Sequence, residues 1–111
     1  MGVTKTNLFS QSQNDLAQIA KALGHPARIA ILEYLVKSNS CINSDLVNEL
    51  GLAQATISQH LRELKDLEFI QGNIEGVSIC YCINAEKWNQ VRSIFEKFFE
   101  QFPQTTHTNC C

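Results

Sequence analysis

Apolar residues recur at intervals of three or four along residues 13–23, a spacing typical of a helix with one buried face. Ser12 is the candidate N-cap of this helix, and Gly24 marks its end. Residues 27–36 carry apolar side chains on almost every side, and Pro26 before them is well tolerated in the first turn of a helix. The pattern therefore predicts two successive helices, of which the second lies in the middle of the core.

A pair of closely spaced helices is predicted in the centre of the chain. The first is short, covers residues 45–50 and has Asn43 or Ser44 as its candidate N-cap. Gly51 ends it, and a second helix follows over residues 54–67. A helix, a tight turn with glycine and a second helix together have the form of a helix-turn-helix unit.

The helical phase of residues 54–67 separates a buried side from an outer face. The outer face carries short side chains, hydroxyls, an amide and a guanidinium, which can enter a major groove and contact base edges or phosphates. A solvated face is the alternative, because any surface helix is polar on its outer side. The residues predicted to be buried are Ile57, Leu61 and Leu64, and those predicted to point outward are Ala55, Gln59 and Arg62, with Thr56 and Ser58 beside them.

Two β-rich runs, residues 70–74 and 77–83, follow the helix-turn-helix unit. Glu75 and Gly76 join them, which favours a two-stranded hairpin. A hairpin placed directly after a helix-turn-helix predicts a mainly α-helical winged helix-turn-helix domain.

The last predicted helix covers residues 85–102, with Asn84 as its N-cap and Pro103 after its end. Its aromatic side chains are more than a small domain can easily cover alone. We therefore expect a homodimer seam formed by the first and last helices, with ordinary core packing as the alternative. The expected seam residues are Leu16, Ile19, Trp88, Val91, Phe95, Phe98, Phe99 and Phe102.

The chain has 111 residues, of which 44% are hydrophobic and 18% charged, as expected for one globular domain. We assign residues 12–102 to this domain, residues 1–11 to a flexible arm and residues 103–111 to a polar tail. No apolar run has the length of a membrane span or the position of a secretion signal, so we expect a cytoplasmic protein with no membrane partner. The net charge of −2 gives no overall basic footprint for DNA, so DNA binding has to come from local pattern.

Two stretches of the chain, Lys21–Leu32 (KALGHPARIAIL) and Leu52–Leu61 (LAQATISQHL), resemble the signature stretches of the ArsR/SmtB repressors. The resemblance covers residues 12–102. It implies a dimeric winged helix-turn-helix repressor that binds double-stranded operator DNA and dissociates when an inducer binds. It also implies that base edges and nearby phosphates are contacted by Gln54, Thr56, Ser58, Gln59 and His60, and the DNA backbone by Arg62 and Lys65.

Two features modify what the resemblance implies about DNA contacts. His60 has an alternative role, that of a helix histidine making a structural hydrogen bond. Many relatives carry arginines in the wing, whereas residues 71–77 contain none and include an acid, so we expect few phosphate contacts there.

Five cysteines in a reducing compartment are more often metal ligands, redox centres or buried apolar side chains than disulfides. Arsenite-sensing relatives carry a Cys-x-Cys pair just before the Asp-Leu that matches Asp45 and Leu46. Here Ile42 and Ser44 stand at those two positions and Cys41 lies one residue away, so that site is not intact.

Two local thiol pairs remain, Cys80 with Cys82 on one strand face and Cys110 beside Cys111 in the tail. Thiolates without histidine or carboxylate neighbours favour As(III) or Sb(III), so we expect arsenite or antimonite as the inducer and no required cofactor. The tail pair is the first candidate, with Cys41 or a hairpin thiol as the third ligand. Zinc or cadmium is the weaker choice, because residues 96–100 lack the histidines that zinc-sensing relatives place on the last helix.

Other interpretations of the thiols remain open. Cys41, Cys80 and Cys82 are also typical of buried apolar packing. A persulfide or disulfide switch between Cys41 and a C-terminal thiol is the main alternative signal. An enzyme is not expected, because the chain has no Cys-x-x-Cys motif, glycine-rich phosphate loop or zinc-protease motif. A thiol carrier or interaction protein without specific DNA affinity is the remaining alternative.

Overall fold

The computed structural model describes residues 6–37, 50–75 and 78–104. The elements in these ranges are a 3₁₀ turn at Thr6–Leu8, helices α1 (Gln11–Leu23), α2 (Pro26–Lys37), α3 (Gln54–Asp66) and α4 (Ala85–Glu100), and strands β1 (Ile70–Glu75) and β2 (Ser78–Ile83). The helix predicted at residues 45–50 lies outside the described residues except for Leu50, which is helical. Among the described helices, none combines the length and the apolar character that crossing a bilayer requires.

The α1 helix begins two residues earlier than the sequence pattern predicted. Its N-cap is Ser10 rather than Ser12: the Ser10 hydroxyl accepts from the Gln13 backbone N–H at 3.1 Å. In return, the Gln13 side-chain oxygen accepts from the Ser10 backbone N–H at 2.9 Å. This reciprocal capping box satisfies two N–H groups that a helix start otherwise leaves unpaired, which explains why the earlier serine is used.

The α2 helix passes through the core, as predicted, but it is not covered on every side. Ile31, Leu32 and Leu35 are buried, whereas Ile29 and Val36 are exposed in the single chain. One apolar side of α2 therefore faces a groove between α2 and α4.

The end of α3 turns the chain sharply into the hairpin. The Glu68 N–H donates to the Lys65 carbonyl at 2.9 Å, and the Phe69 N–H donates to the Leu64 carbonyl at 3.0 Å. These are the two hydrogen bonds of a Schellman motif, in which the residue after the C-cap has a left-handed backbone. Glu68 occupies that position with φ 66°. The turn places Phe69 and Ile70 in the core.

The two strands pair antiparallel, which confirms the predicted hairpin. Ile70 is opposite Ile83, and Gly72 is opposite Tyr81. A Cβ atom on Gly72 would lie 2.9 Å from the Tyr81 ring, so the glycine leaves the space that the ring occupies. The Asn84 N–H then donates to the Phe69 carbonyl at 2.9 Å, which fixes the exit of the hairpin beside its entrance.

The last helix, α4, starts where the pattern placed it and ends two residues earlier. The Asn84 side-chain oxygen accepts from the Lys87 N–H at 3.3 Å, so the predicted N-cap is confirmed. Glu100 is the last helical residue, and Phe102 lies beyond the helix. Val91 joins the core, which is otherwise built by Ile19, Ala22, Ile31, Leu32, Leu35, Ile57, Leu61, Leu64, Phe69 and Ile70.

Candidate DNA-binding surface

The two sides of α3 are divided as the helical phase predicted. Ile57, Leu61 and Leu64 are buried against the rest of the domain. The opposite side presents an amide, a hydroxyl and basic groups to solvent, beginning at the N-terminal end of the helix. Of the predicted contact residues, Gln54, Thr56, Gln59, Arg62 and Lys65 are exposed, and Ser58 is half-buried.

His60 lies on the inner side of α3, away from the outer face. It is only 7% exposed, and its Nδ1 accepts a hydrogen bond from Arg28 Nε at 3.2 Å. Its ring centroid is 4.4 Å from that of His25, which precedes α2. Burial lowers the pKa of His60, and the neighbouring His25 and Arg28 lower it further. The position matches the structural hydrogen bond considered as the alternative for this residue.

Arg28 connects three parts of the fold from one guanidinium group. Its Nη1 donates to the Ala22 carbonyl at the end of α1 at 3.0 Å, and its Nη2 forms an ion pair with Glu63 Oε2 on α3. With the bond from Nε to His60, each nitrogen of the guanidinium has a partner. The planar guanidinium spreads its donors over three nitrogens, whereas a lysine would have to reach all three partners from a single nitrogen.

Glu63 links Arg28 to the outer face of α3. Its Oε1 accepts from Gln59 Nε2 at 3.1 Å, one helical turn earlier on α3. One carboxylate therefore binds the half-buried guanidinium with one oxygen and an exposed, predicted DNA-contacting amide with the other. Neither Arg28 nor Glu63 was predicted from the sequence as a site residue. The four-residue spacing of Gln59 and Glu63 was the one available signal.

The structure covers two of the five candidate thiols. Cys80 and Cys82 are half-buried free cysteines on β2, two residues apart and therefore on one face of the strand. Their partners across the hairpin are Asn73 and Gln71. Cys41, Cys110 and Cys111 lie outside the described residues. Within the ranges that the structure covers, no cluster of three or more histidine, cysteine or acidic residues is placed to hold a metal ion.

The residues predicted for a dimer seam divide into a buried, an exposed and a half-buried set. Ile19 and Val91 belong to the core of the single chain, so for these two the ordinary packing alternative applies. Phe98, Phe99 and Phe102 are 48%, 66% and 62% exposed. The half-buried members are Leu16, Trp88 and Phe95.

An apolar groove extends the exposed part of this surface. It has a volume of about 540 Å³ and is lined by Ile29 and Val36 of α2 and by Trp88 and Phe95 of α4, among others. The exposed phenylalanines and the groove leave a large apolar surface uncovered in the single chain.

Known proteins share both the sequence and the fold of this chain. The family model described as "Bacterial regulatory protein, arsR family" matches residues 25–71. The transcriptional repressor PagR of Bacillus anthracis is 33% identical over 76 residues, which are 68% of this chain and 76% of PagR. A homologue of the cadmium resistance transcriptional regulatory protein CadC, from Staphylococcus aureus, is 32% identical over 95 residues, which are 86% of this chain and 76% of that protein.

The fold has close counterparts among solved structures. One is the solution structure of the homodimeric winged helix-turn-helix DNA-binding domain of a Mycobacterium bovis protein. It matches with a TM-score of 0.62 at 20% identity, over 98% of each chain. The winged helix-turn-helix prediction is thereby confirmed, and the relatives named are transcriptional regulators, not enzymes. The family model matches residues 25–71, and the similarity to PagR extends over 68% of this chain. The chain therefore belongs to the ArsR family of bacterial regulatory proteins.

Proposed function

We propose that this protein is a homodimeric repressor that binds operator DNA through the outer face of α3 and dissociates when a thiophilic inducer binds its cysteines. The observation that carries the DNA-binding part is the exposed polar face of α3, held rigidly by Arg28 from the inner side. Membership of a family of transcriptional regulators supports it. Because its ligand is operator DNA, we place the protein in the cytoplasm.

The outer face of α3 has two kinds of groups for DNA. We assign Gln54, Thr56, Ser58 and Gln59, in the N-terminal half of α3, to base edges and nearby phosphates, since this part of a recognition helix enters the major groove. Arg62 and Lys65 hold the phosphate backbone. His60, which the family resemblance had assigned to the DNA, serves in this proposal by supporting Arg28 from within the fold.

The proposed dimer uses the exposed phenylalanines of α4 and the region beyond it. Three exposed aromatic side chains next to an apolar groove form a patch of the kind that marks a protein interface. The homodimeric M. bovis domain, which shares the fold, supports this assignment. A two-fold dimer presents two α3 helices to half-sites about one helical turn apart.

The proposed inducer is As(III) or Sb(III), held by thiolates. Soft sulfur ligands favour such ions, and a dithiol is a chelate for them. Cys110 and Cys111 remain the first candidate pair, and Cys80 with Cys82 is the second, supported by their common face on β2. Cadmium is an alternative inducer, since the CadC homologue concerns cadmium resistance. A persulfide or disulfide signal is the alternative chemistry.

The test is fluorescence anisotropy of the reduced protein on a duplex from its own upstream region, followed by addition of arsenite. We expect tight binding to this duplex, much weaker binding to a scrambled one, and loss of the complex with arsenite. Release by cadmium or persulfide alone would show that the inducer is not arsenite. Absence of any sequence preference would contradict the repressor function and favour a thiol carrier.

Matched double variants locate the sensor. Cys110→Ser with Cys111→Ser is expected to keep DNA binding and abolish release by arsenite, while Cys80→Ser with Cys82→Ser keeps both. The reverse result would move the site to β2. Because binding of inducer and DNA is coupled reciprocally, the arsenite affinity should also fall when operator is present.

A further inference from the structure

Gln59 lies on the outer face of α3. Through Glu63 it is linked to Arg28 on the inner side of the helix. Its Nε2 donates to Glu63 Oε1, and a carboxylate can only accept, so this hydrogen bond fixes which end of the amide faces Glu63. Glu63 lies one turn nearer the C-terminus of α3. The amide oxygen of Gln59 is therefore the end that does not face Glu63, and on this exposed side chain it is available to a group that approaches the outer face.

Glu63 is itself held in place. Its second oxygen, Oε2, binds Arg28 Nη2, and Arg28 is anchored in turn by the Ala22 carbonyl and by His60 Nδ1. The Arg28 side chain is 17% exposed, so water competes little for its donors. An exposed glutamine on a free helix would turn its amide over readily, whereas here a half-buried guanidinium restrains the carboxylate that orients it.

The N-terminal end of a recognition helix is the part that contacts base edges in the major groove. An amide oxygen presented to the groove accepts hydrogen bonds. In the major groove the donors on base edges are the amino groups of adenine and cytosine, whereas guanine and thymine present acceptors at the equivalent positions.

We propose that Arg28, acting through Glu63, orients the amide of Gln59 so that the protein selects an operator base carrying an amino group, adenine or cytosine. The inference rests on the proposed operator binding and adds a determinant of its specificity. Arg28 and Glu63 are positioning residues: neither has to touch DNA, and their effect is confined to the base pair that Gln59 contacts.

The substitution Glu63→Gln inverts this arrangement with almost no change in shape. An amide in place of the carboxylate has one accepting oxygen, which the Arg28 guanidinium takes, and its NH₂ group then faces Gln59. Gln59 must turn its own oxygen toward that NH₂ and its Nε2 toward the DNA. The preferred base should change from adenine or cytosine to guanine or thymine.

The experiment begins with duplexes selected from a random library by the wild-type protein. Every base pair of the selected site is then substituted, and Kd is measured by anisotropy for the wild type and for Gln59→Ala, Glu63→Gln and Arg28→Lys. The pair contacted by Gln59 is the one at which Gln59→Ala removes the preference. Glu68→Gln, which removes the same charge outside α3, is the control.

We expect the wild type and Glu68→Gln to prefer adenine or cytosine over guanine or thymine on the contacted strand of that pair by about tenfold, the range for one good base contact. Glu63→Gln should prefer guanine or thymine there, and Arg28→Lys should lose the preference, with both variants unchanged at the other pairs. Thermal unfolding of each variant shows that it is folded.

Three results would overturn the inference in distinguishable ways. An unchanged preference in both variants would show that Glu63 does not orient Gln59. A uniform loss at every base pair would show that Arg28 and Glu63 only stabilise the fold. A wild type that selects no sequence at all would contradict the proposed function itself.

Discussion

Arg28 on α2 and His60 on α3 are joined by a hydrogen bond in which Nε of the arginine donates to Nδ1 of the histidine at 3.2 Å. The two residues are 32 positions apart in the chain, and the bond ties α3 to the helix that crosses the core. It requires Nδ1 to be unprotonated, because a protonated ring nitrogen cannot accept. The groups facing His60 are His25 and Arg28, and Glu63 balances the charge of the arginine.

This geometry predicts a loss of stability in mild acid. The pKa of His60 lies below its ordinary value of 6.5, so at pH values between the two the unfolded chain binds more protons than the folded one. The contribution of this histidine is fully present above about pH 6.5 and decreases as the pH falls toward the lowered pKa. Urea unfolding at pH 7.5 and at pH 5.5 should show a lower free energy of unfolding at pH 5.5.

Two variants separate His60 from the other titrating groups. His60→Gln keeps an accepting oxygen for Arg28 without a titrating nitrogen, so its loss of stability between the two pH values should be smaller than that of the wild type. His107→Gln removes the third histidine of the chain and should behave like the wild type. Equal acid sensitivity of all three proteins would contradict the role of His60.

The Schellman turn after α3 predicts a stabilising substitution. Glu68 has φ 66°, a conformation that side chains with a Cβ adopt at a cost of about 1–2 kcal/mol and that glycine adopts readily. Part of the gain is offset because glycine makes the unfolded chain more flexible. Glu68→Gly should therefore raise the free energy of unfolding by about 0.5–1 kcal/mol, measured from the urea midpoint.

The control for this turn is Glu68→Ala, which removes the same carboxylate and keeps a Cβ. It should give little or no gain. If alanine stabilised as much as glycine, the effect would come from the lost charge and not from the backbone.

The helices and the hairpin were predictable from the sequence because their signals are local. The spacing of Ile57, Leu61 and Leu64 determined which side of α3 is buried, and Asn84 marked the start of α4. The N-cap of α1 was misplaced because Ser10 and Ser12 are both good caps, and only Ser10 has a glutamine three residues later.

Contacts between distant residues were not predictable in this way. No local pattern indicates that Arg28 meets His60 and Glu63, since that contact depends on how α2 packs against α3. For the same reason the apolar face of a helix does not reveal which neighbour covers it. Val91 was expected in a dimer seam and lies in the core of its own chain, whereas Phe99 on the same helix is left exposed.

The exposed aromatic side chains near the end of α4 are expected to be needed for dimer formation. Phe98→Ser combined with Phe99→Ser removes two exposed aromatic rings that pack edge to face at 5.2 Å. We expect the dimer to dissociate at micromolar concentration in sedimentation velocity experiments, because aromatic residues contribute most of the binding energy at such interfaces. Operator affinity should fall with it, because the two half-sites are then no longer bound by one linked particle.

The corresponding control is Leu8→Ser, since Leu8 is an apolar residue with 68% exposure outside the proposed seam. Its variant should sediment as the wild type does. A double phenylalanine variant that remained dimeric would place the interface elsewhere.

The composition of the wing predicts an unusually weak dependence of DNA binding on salt. Residues 71–77 contain no arginine or lysine and include Glu75, so the wing brings no positive charge to the phosphates. Each phosphate neutralised by a protein adds about −0.9 to the slope of log K against log salt concentration. The wild type should therefore give a slope shallower than about −8 in an anisotropy titration from low to moderate salt, and a steeper slope would contradict this account.

A positive charge added to the wing tests whether the wing lies beside the DNA. Gln71 is exposed on β1, so Gln71→Lys places an ammonium group on the hairpin without disturbing the core. If the wing lies beside the DNA, each of the two protomers neutralises one further phosphate, and the slope should steepen by about 2. Gln71→Ser is the matched control and should leave the slope unchanged. An equal slope for both variants would show that the wing stays away from the phosphates.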